Sequence, residues 1–184
     1  MFYGNGTARI VRDSAWRDNG AGILTDLGCH LLDTLDFWFD GIRDLHFDVI
    51  GAFSHENRSF DHVILHQNGK ISIHLEMSML SWRNSFECHV YGEKGSLHID
   101  SLCKWGPTKY FQRERILPSG RPIETIHTEV RPDPTWKLEY EHFIQICNES
   151  KESTLKKDIW INETLSSIAQ KCGVSSILNN YLQN

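Results

Sequence analysis

The sequence predicts an α+β fold: an open, mainly antiparallel β-sheet with helices packed on one face. Three observations predict it. Apolar residues recur at steps of three and four between Gly22 and Phe39, after which the period changes to two from about residue 44 to residue 129. Within that stretch three turn signals divide the alternating runs into hairpins. Helical spacing then returns near the C-terminus. Helices before and after sequential hairpins make an antiparallel layer, whereas alternating βαβ units would make a parallel one.

The elements follow in order. Residues 7–12 (TARIVR) alternate and predict a short strand. Leu24, Leu27, Leu31, Leu35 and Trp38 form one apolar stripe on a helix from Gly22 to about Phe39, with Gly41 as its C-terminal stop. FDHVILHQ and KISIHLEMSM flank Asn68–Gly69, a strong hairpin signal. FECHVY and SLHID flank the turn Gly92–Gly95, and KYFQRERIL and PIETIHTEV flank Pro118–Gly120. In the first hairpin Val63, Leu65, Ile71, Ile73 and Leu75 alternate with a mixed set of His62, Ile64, His66, His74, Glu76 and Ser78. One face is therefore expected beneath the helices, and the other wet or in a moderately polar dimer contact. Asp133 and Pro134 predict a helix start before WKLEYEHFIQIC, and Asp158 opens a last helix that Gly173 ends.

The 184 residues fit a single domain over 1–184, and a chain of this length can bury a sizeable core. A net charge of −5 without a basic cluster argues against a nucleic-acid partner. No run approaches the roughly 20 apolar residues of a membrane span, and the N-terminus lacks a signal-peptide pattern. Five scattered cysteines, an odd number without C-x-x-C, predict reduced thiols and a cytoplasmic protein.

Cofactor and metal signatures are weak. Gly4–Gly6 and Gly20–Gly22 each lack the third glycine of a dinucleotide loop and a preceding strand, so no cofactor-binding residue is assigned. His55–Glu56 has no second histidine at position 59, and His62 with His66 makes only two ligands on one strand face. No metal site is expected. What remains is the polar side of the first helix. Asp26, His30 and Asp33 fall within about 60° of one another at 100° per residue, away from the centre of the leucine stripe. A carboxylate beside an imidazole holds the ring and supports proton transfer near neutral pH. The same spacing also suits a surface or capping interaction. Gly28 inside the helix costs about 1 kcal/mol relative to alanine, which close approach of a ligand or a neighbouring backbone would offset. Cys29 points about 100° from His30 and is expected to be packed rather than nucleophilic.

The block W-R-D-N-G-A-G-I-L-T-D-L-G-C-H-L-L-D, from Trp16 to Asp33, resembles the Gfo/Idh/MocA oxidoreductase family. Ser81–Trp82 and V-Y-G-E-K-G-S-L-H-I-D, from Val90 to Asp100, are similar to a second stretch of that family. The resemblance implies a C-terminal α+β domain whose sheet packs against its copy in a homodimer or tetramer. It implies NAD or NADP as cofactor, bound mainly by a separate Rossmann domain, and a carbohydrate-like substrate: a sugar, polyol or sugar nucleotide oxidised at an alcohol. It assigns His30 as general acid/base and Asp26 as the residue that orients His30 or a substrate hydroxyl. Arg17 is expected to reach an anionic or hydroxyl-rich ligand, with a surface ion pair as the alternative. Asp33 is expected to be structural, tied to neighbouring backbone. The sequence shows neither the G-x-G-x-x-G/A loop nor the E-K-P lysine of the family, so the chain is expected to be the substrate half, inactive in isolation. The alternative is a non-catalytic self-association module from a truncated oxidoreductase. A third reading is a metal-dependent lyase or hydrolase using Asp26, His30 and a strand histidine.

Overall fold

The computed structural model describes residues 1–5, 13, 20–39, 42–149 and 155–174. In chain order its elements are β1 (Phe2–Asn5), α1 (Ile23–Asp26), α2 (Gly28–Trp38), β2 (Asp48–Phe53), β3 (His62–Gln67), β4 (Ile73–Ser78), β5 (Leu80–Gly92), β6 (Gly95–Asp100), β7 (Thr108–Glu114), β8 (Ile123–Glu129), α3 (Thr135–Glu149) and α4 (Lys156–Lys171). The class is α+β, as the change of period predicts. The expected strand over 7–12 and the stop at Gly41 lie outside the described residues. Two compact units form, one from Met1–Asn84 with Leu155–Asn184 and one from Ser85–Thr154.

In the first unit the strand order is β2-β3-β4-β1. The β2–β3 and β3–β4 pairs are antiparallel, whereas β1 runs parallel to β4. The Asn68–Gly69 signal does mark the β3–β4 hairpin, but not as a two-residue turn. Gln67 pairs with Ile73, leaving five residues in the connection. Side-chain parity explains the difference. A turn closed at Gln67 and Lys70 would set Leu65 opposite Ser72 and Val63 opposite His74, mixing the two faces. The observed register sets Leu65 opposite Leu75 and Val63 opposite Met77, all four buried. Burial of that face outweighs the local turn preference.

The helices cover this apolar face. Ile23, Leu24, Leu31 and Leu32 are buried from α1 and α2, as are Leu165, Ile168 and Ala169 from α4. The expected helix over 22–39 is divided at Leu27, whose φ of −101° and ψ of −23° interrupt it. The break is shallow: Leu27 N–H still donates to Ile23 (2.9 Å) and Leu31 N–H to Leu27 (3.2 Å). It falls beside Gly28, which has a weak helical preference. At the far end α4 stops as expected at Gly173, whose φ is +84°.

Gly22 pins the start of α1. Its φ is +54°, and a Cβ there would lie 2.2 Å from the Phe60 carbonyl oxygen. That carbonyl accepts the Ile23 N–H at 2.8 Å, so the chain before the helix and the 54–61 loop touch backbone to backbone. Gly22→Ala is expected to destabilise the protein by at least about 2 kcal/mol, combining backbone strain with a contact that must open. Thermal unfolding checks this; a loss below about 0.5 kcal/mol would refute the close approach.

In the second unit β5, β6, β7 and β8 form successive antiparallel neighbours. The second expected turn is found as read, with Gly92 opposite Gly95 and Glu93–Lys94 between them. The third joins β7 to β8, which close at Glu114 and Ile123. Asp133 caps α3 as expected: its carboxylate accepts the Thr135 N–H at 3.0 Å and the Thr135 hydroxyl at 2.7 Å. Those hydrogen bonds, the hydroxyl's first, hold the Asp133 carboxyl below its ordinary range. Helical cover is not repeated in this unit. No residue of α3 is buried, and every residue of β8 is exposed. Among the described residues of this unit only Phe86 and His98 are buried.

Candidate functional site

Asp26 and His30 stand on either side of the Leu27 junction, Asp26 closing α1 and His30 in the first turn of α2. Asp26 is half-buried and His30 is exposed. Their support is well defined. Asp26 N–H donates to Gly22 O at 3.2 Å, and the Thr25 hydroxyl donates to the same carbonyl at 2.9 Å. The His30 carbonyl accepts the Thr34 hydroxyl at 2.7 Å, in addition to its place in the helix. The two side chains therefore rise from a helix start that is fixed to the 54–61 loop and seated on the sheet.

Cys29 lies between them in sequence and donates its thiol to Asp26 O at 3.3 Å. Burial raises the Cys29 thiol above its ordinary value, and the charges of Asp26 and Asp33 push it further up. At neutral pH it stays protonated, as a packed cysteine should. All five cysteines are free thiols. The Gly28 reading is corrected by the packing. A Cβ there would meet Leu165 Cδ2 at 3.0 Å, Met77 Sδ at 3.4 Å and Leu24 Cδ1 at 3.5 Å. Core side chains occupy the space where a ligand or backbone was expected.

Asp33 does not bind backbone as expected; its carboxylate meets Lys157 Nζ of α4 at 2.6 Å. The hydrogen bond from Lys157 raises that ammonium's affinity for its proton. One turn on, Asp36 accepts two parallel hydrogen bonds from Arg43, at 2.6 and 2.7 Å. These bonds hold the Asp36 carboxyl below the usual carboxylate range. Charged groups along α1 and α2 thus separate by role: Asp33 and Asp36 tie α2 down, while Asp26 and His30 flank the junction between the two helices. Arg17 lies outside the described residues.

Two features escaped the sequence reading. Asp61 is fully buried, and its carboxylate accepts the backbone N–H groups of His55, Glu56 and Asn57 at 2.7–3.2 Å, with the Asn57 side-chain amide at 3.4 Å. It organises the loop whose Phe60 carbonyl receives α1. The second is a cross-strand histidine pair, His89 and His98, in the second unit. Two strand histidines of the first unit face one carboxylate: Glu76 lies 4.0 Å from His62 and 3.9 Å from His74. Among the described residues no group of three His, Cys, Asp or Glu is arranged to hold a metal ion. A groove of about 240 Å³ beside α4 is lined by Arg43, His46, Trp160 and Lys171 among others; Asp26 and His30 are not part of its walls. Among the described residues no helix is long and apolar enough to cross a membrane.

A family model described as the GFO/IDH/MocA C-terminal domain matches residues 2–98, more than half of the chain. No curated protein and no solved structure matches the chain. The matched stretch contains Gly22, the Asp26–His30 pair, the β3–β4 layer beneath it and the Gly92–Gly95 hairpin. The chain therefore belongs to the GFO/IDH/MocA family and carries the C-terminal domain of this group of oxidoreductases.

Proposed function

We propose that this domain is the substrate side of an NAD(P)-dependent oxidoreductase, acting on an alcohol of a sugar, polyol or sugar nucleotide in the cytoplasm. The observation that carries the reading is the placement of Asp26 and His30 on either side of the α1–α2 junction, just past the pinned start of α1 and inside the stretch that matches the family. His30 accepts the hydroxyl proton of the alcohol. Asp26 orients the imidazole or a substrate hydroxyl, and Arg17 contributes a hydrogen-bonding cation. NAD or NADP supplies the hydride acceptor. Gly22 and Gly28 do not fit its pyrophosphate: the space at Gly22 is filled by the Phe60 carbonyl and that at Gly28 by Leu165 and Met77. The dinucleotide is therefore assigned mainly to a separate Rossmann domain, as the family resemblance implies. Titrating the 184-residue chain with NADH, followed by nicotinamide fluorescence, is expected to show no saturable binding up to about 1 mM, a free energy of roughly −4 kcal/mol. Micromolar binding would overturn the assignment.

A second reading, self-association through the sheet into a dimer or tetramer, is favoured by the second unit. Two buried side chains are too few to hold a four-stranded sheet and a helix together. Tyr91 and Ile126 are exposed on one face of its sheet, and Leu97 and Ile123 on the other. A second copy laid on one of these faces would cover one of the two pairs. The two readings are compatible, and a purely self-associating, non-catalytic module is the outcome if His30 proves dispensable.

A further inference from the structure

On the sheet of the second unit, β5 sets Glu87, His89 and Tyr91 opposite Asp100, His98 and Ser96 of β6, and β7 adds Lys109, Phe111 and Arg113 to the same three rows. All of these side chains share one face. Four of them stand in series. Ser96 Oγ lies 2.8 Å from His98 Nε2, the Nδ1 atoms of His98 and His89 are 2.8 Å apart, and His89 Nε2 lies 3.7 Å from a Glu87 carboxylate oxygen. His98 is buried and meets the Tyr91 ring in a T-shaped contact, while Ser96 is half-buried.

The hydrogens of this series run in one direction. A neutral imidazole carries one hydrogen, and an ionised carboxylate only accepts. Glu87 therefore favours the hydrogen of His89 on Nε2, which leaves His89 Nδ1 as an acceptor. The 2.8 Å contact between the rings then takes its hydrogen from His98 Nδ1. That leaves a lone pair on His98 Nε2, to which the Ser96 hydroxyl donates. Burial, then Arg113 and then His89, holds His98 below the ordinary histidine range, with Glu124 opposing in part, so the lone pair is available at neutral pH. A hydroxyl that donates to an imidazole whose other nitrogen is fixed by an acceptor is an activated nucleophile.

Room for a reactant adjoins it. A hollow of about 280 Å³ is walled by His98, Phe111 and Arg113 among others. Arg113 stands opposite Ser96 in the β6–β7 register, and its bond to Glu124 engages Nε. We propose that Ser96 is the nucleophile of a second site in this protein, one for acyl transfer from small carboxylic esters, with His98 as general base and His89 and Glu87 as positioning residues. Ser96 Oγ bonds to the ester carbonyl carbon as its proton passes to His98 Nε2, and Arg113 is the cation beside the oxygen that becomes negative. The bond from that carbon to the alcohol oxygen then breaks, and His98 gives its proton to the departing alcohol, leaving acyl-Ser96. Water attacks the acyl carbon by the same proton path, releases the carboxylic acid and restores the hydroxyl.

Incubating the 184-residue chain with a fluorophosphonate probe, read by intact mass and peptide mapping, tests the site. A single adduct on Ser96 is expected, with fluoride displaced. Ser96→Ala should abolish it, and His98→Gln should slow it at least about tenfold. Because His98 is buried, the exposed His89 supplies the second test. His89→Leu removes the acceptor for His98 Nδ1 and should slow labelling about tenfold, whereas His89→Gln keeps an acceptor and should stay within about threefold of wild type. Circular dichroism confirms that each variant folds. Hydrolysis of p-nitrophenyl acetate should exceed the solution rate and be lost in Ser96→Ala. No adduct on Ser96, or an adduct formed as fast in folded His98→Gln or His89→Leu as in wild type, would overturn the site. Hydrolysis unchanged in Ser96→Ala would overturn the ester as its substrate, and equal losses in His89→Leu and His89→Gln would overturn the positioning role of His89.

Discussion

Replacing His30 with alanine is expected to lower turnover of the oxidoreductase that carries this domain by about 10²–10⁴-fold. Oxidation of an alcohol requires the hydroxyl proton to leave as the hydride does, and His30 is an exposed imidazole at the N-terminal end of α2, four residues after the half-buried Asp26. Removing the ring leaves substrate binding largely in place, so the loss should fall on kcat more than on KM. Asp26→Asn should cost less, because the imidazole keeps its seat on the helix and loses only its orienting charge. Asp33→Asn separates this role from a structural one. Asp33 is committed to Lys157 at 2.6 Å, so its replacement should loosen the α2–α4 contact and lower the melting temperature with turnover near normal. A His30→Ala enzyme within about threefold of wild type would remove the general acid/base from the mechanism and favour the self-associating module. Loss of activity in Asp33→Asn as large as in His30→Ala would place the chemistry further along the helix.

Much of this arrangement was legible in the sequence because it rests on periodicity. Period two between residues 44 and 129 found the hairpins, and the leucine stripe found the helix that carries Asp26 and His30. Where the sequence misled, a long-range requirement overrode a local one. Asn68–Gly69 favours a two-residue turn, but that turn has the wrong parity, and the observed Gln67–Ile73 register keeps Val63 and Leu65 on the same face as Leu75 and Met77. Gly28 looked like room for a ligand because a sequence cannot show Leu165, more than a hundred residues away, filling that space. Trp38 belonged to the predicted stripe and is exposed, whereas Leu32, one place off the stripe, is buried. The histidine pair was recoverable in principle. Once the turn is placed at Gly92–Gly95, antiparallel pairing alone sets His89 opposite His98. Asp61 was not recoverable. It reads as a surface aspartate at a strand entrance, and only the path of the 54–61 loop folds three backbone amides over it.

That hidden aspartate carries the second large effect. Asp61→Ala is expected to destabilise the protein by about 3 kcal/mol or more, lowering the melting temperature by about 6–12 °C for a chain of this size. The reason is the number of donors left behind. Both carboxylate oxygens accept from His55 N–H, and Oδ2 accepts as well from Glu56, Asn57 and the Asn57 amide. With the carboxylate gone, the N–H of the buried Asn57 loses its acceptor, and those of the more exposed His55 and Glu56 lose the group that gathers them. Asp61→Asn should recover part of the loss, because one oxygen remains to accept while the amide nitrogen faces donors it cannot satisfy. The consequence reaches the candidate site through the backbone. Asp61 N–H donates to Phe53 O, its own carbonyl accepts Met79 N–H, and the adjacent Phe60 carbonyl holds Ile23 N–H at 2.8 Å. A loosened loop therefore releases the start of α1, and hydrogen exchange at the Ile23 and Asp26 amides should accelerate in Asp61→Ala before the strands of the hairpin do. A variant that melts within about 2 °C of wild type would mean the loop does not depend on this carboxylate. Unfolding with unchanged exchange at Ile23 would mean that Phe60 holds the helix without it, and that the site's geometry is set by Gly22 and the core alone.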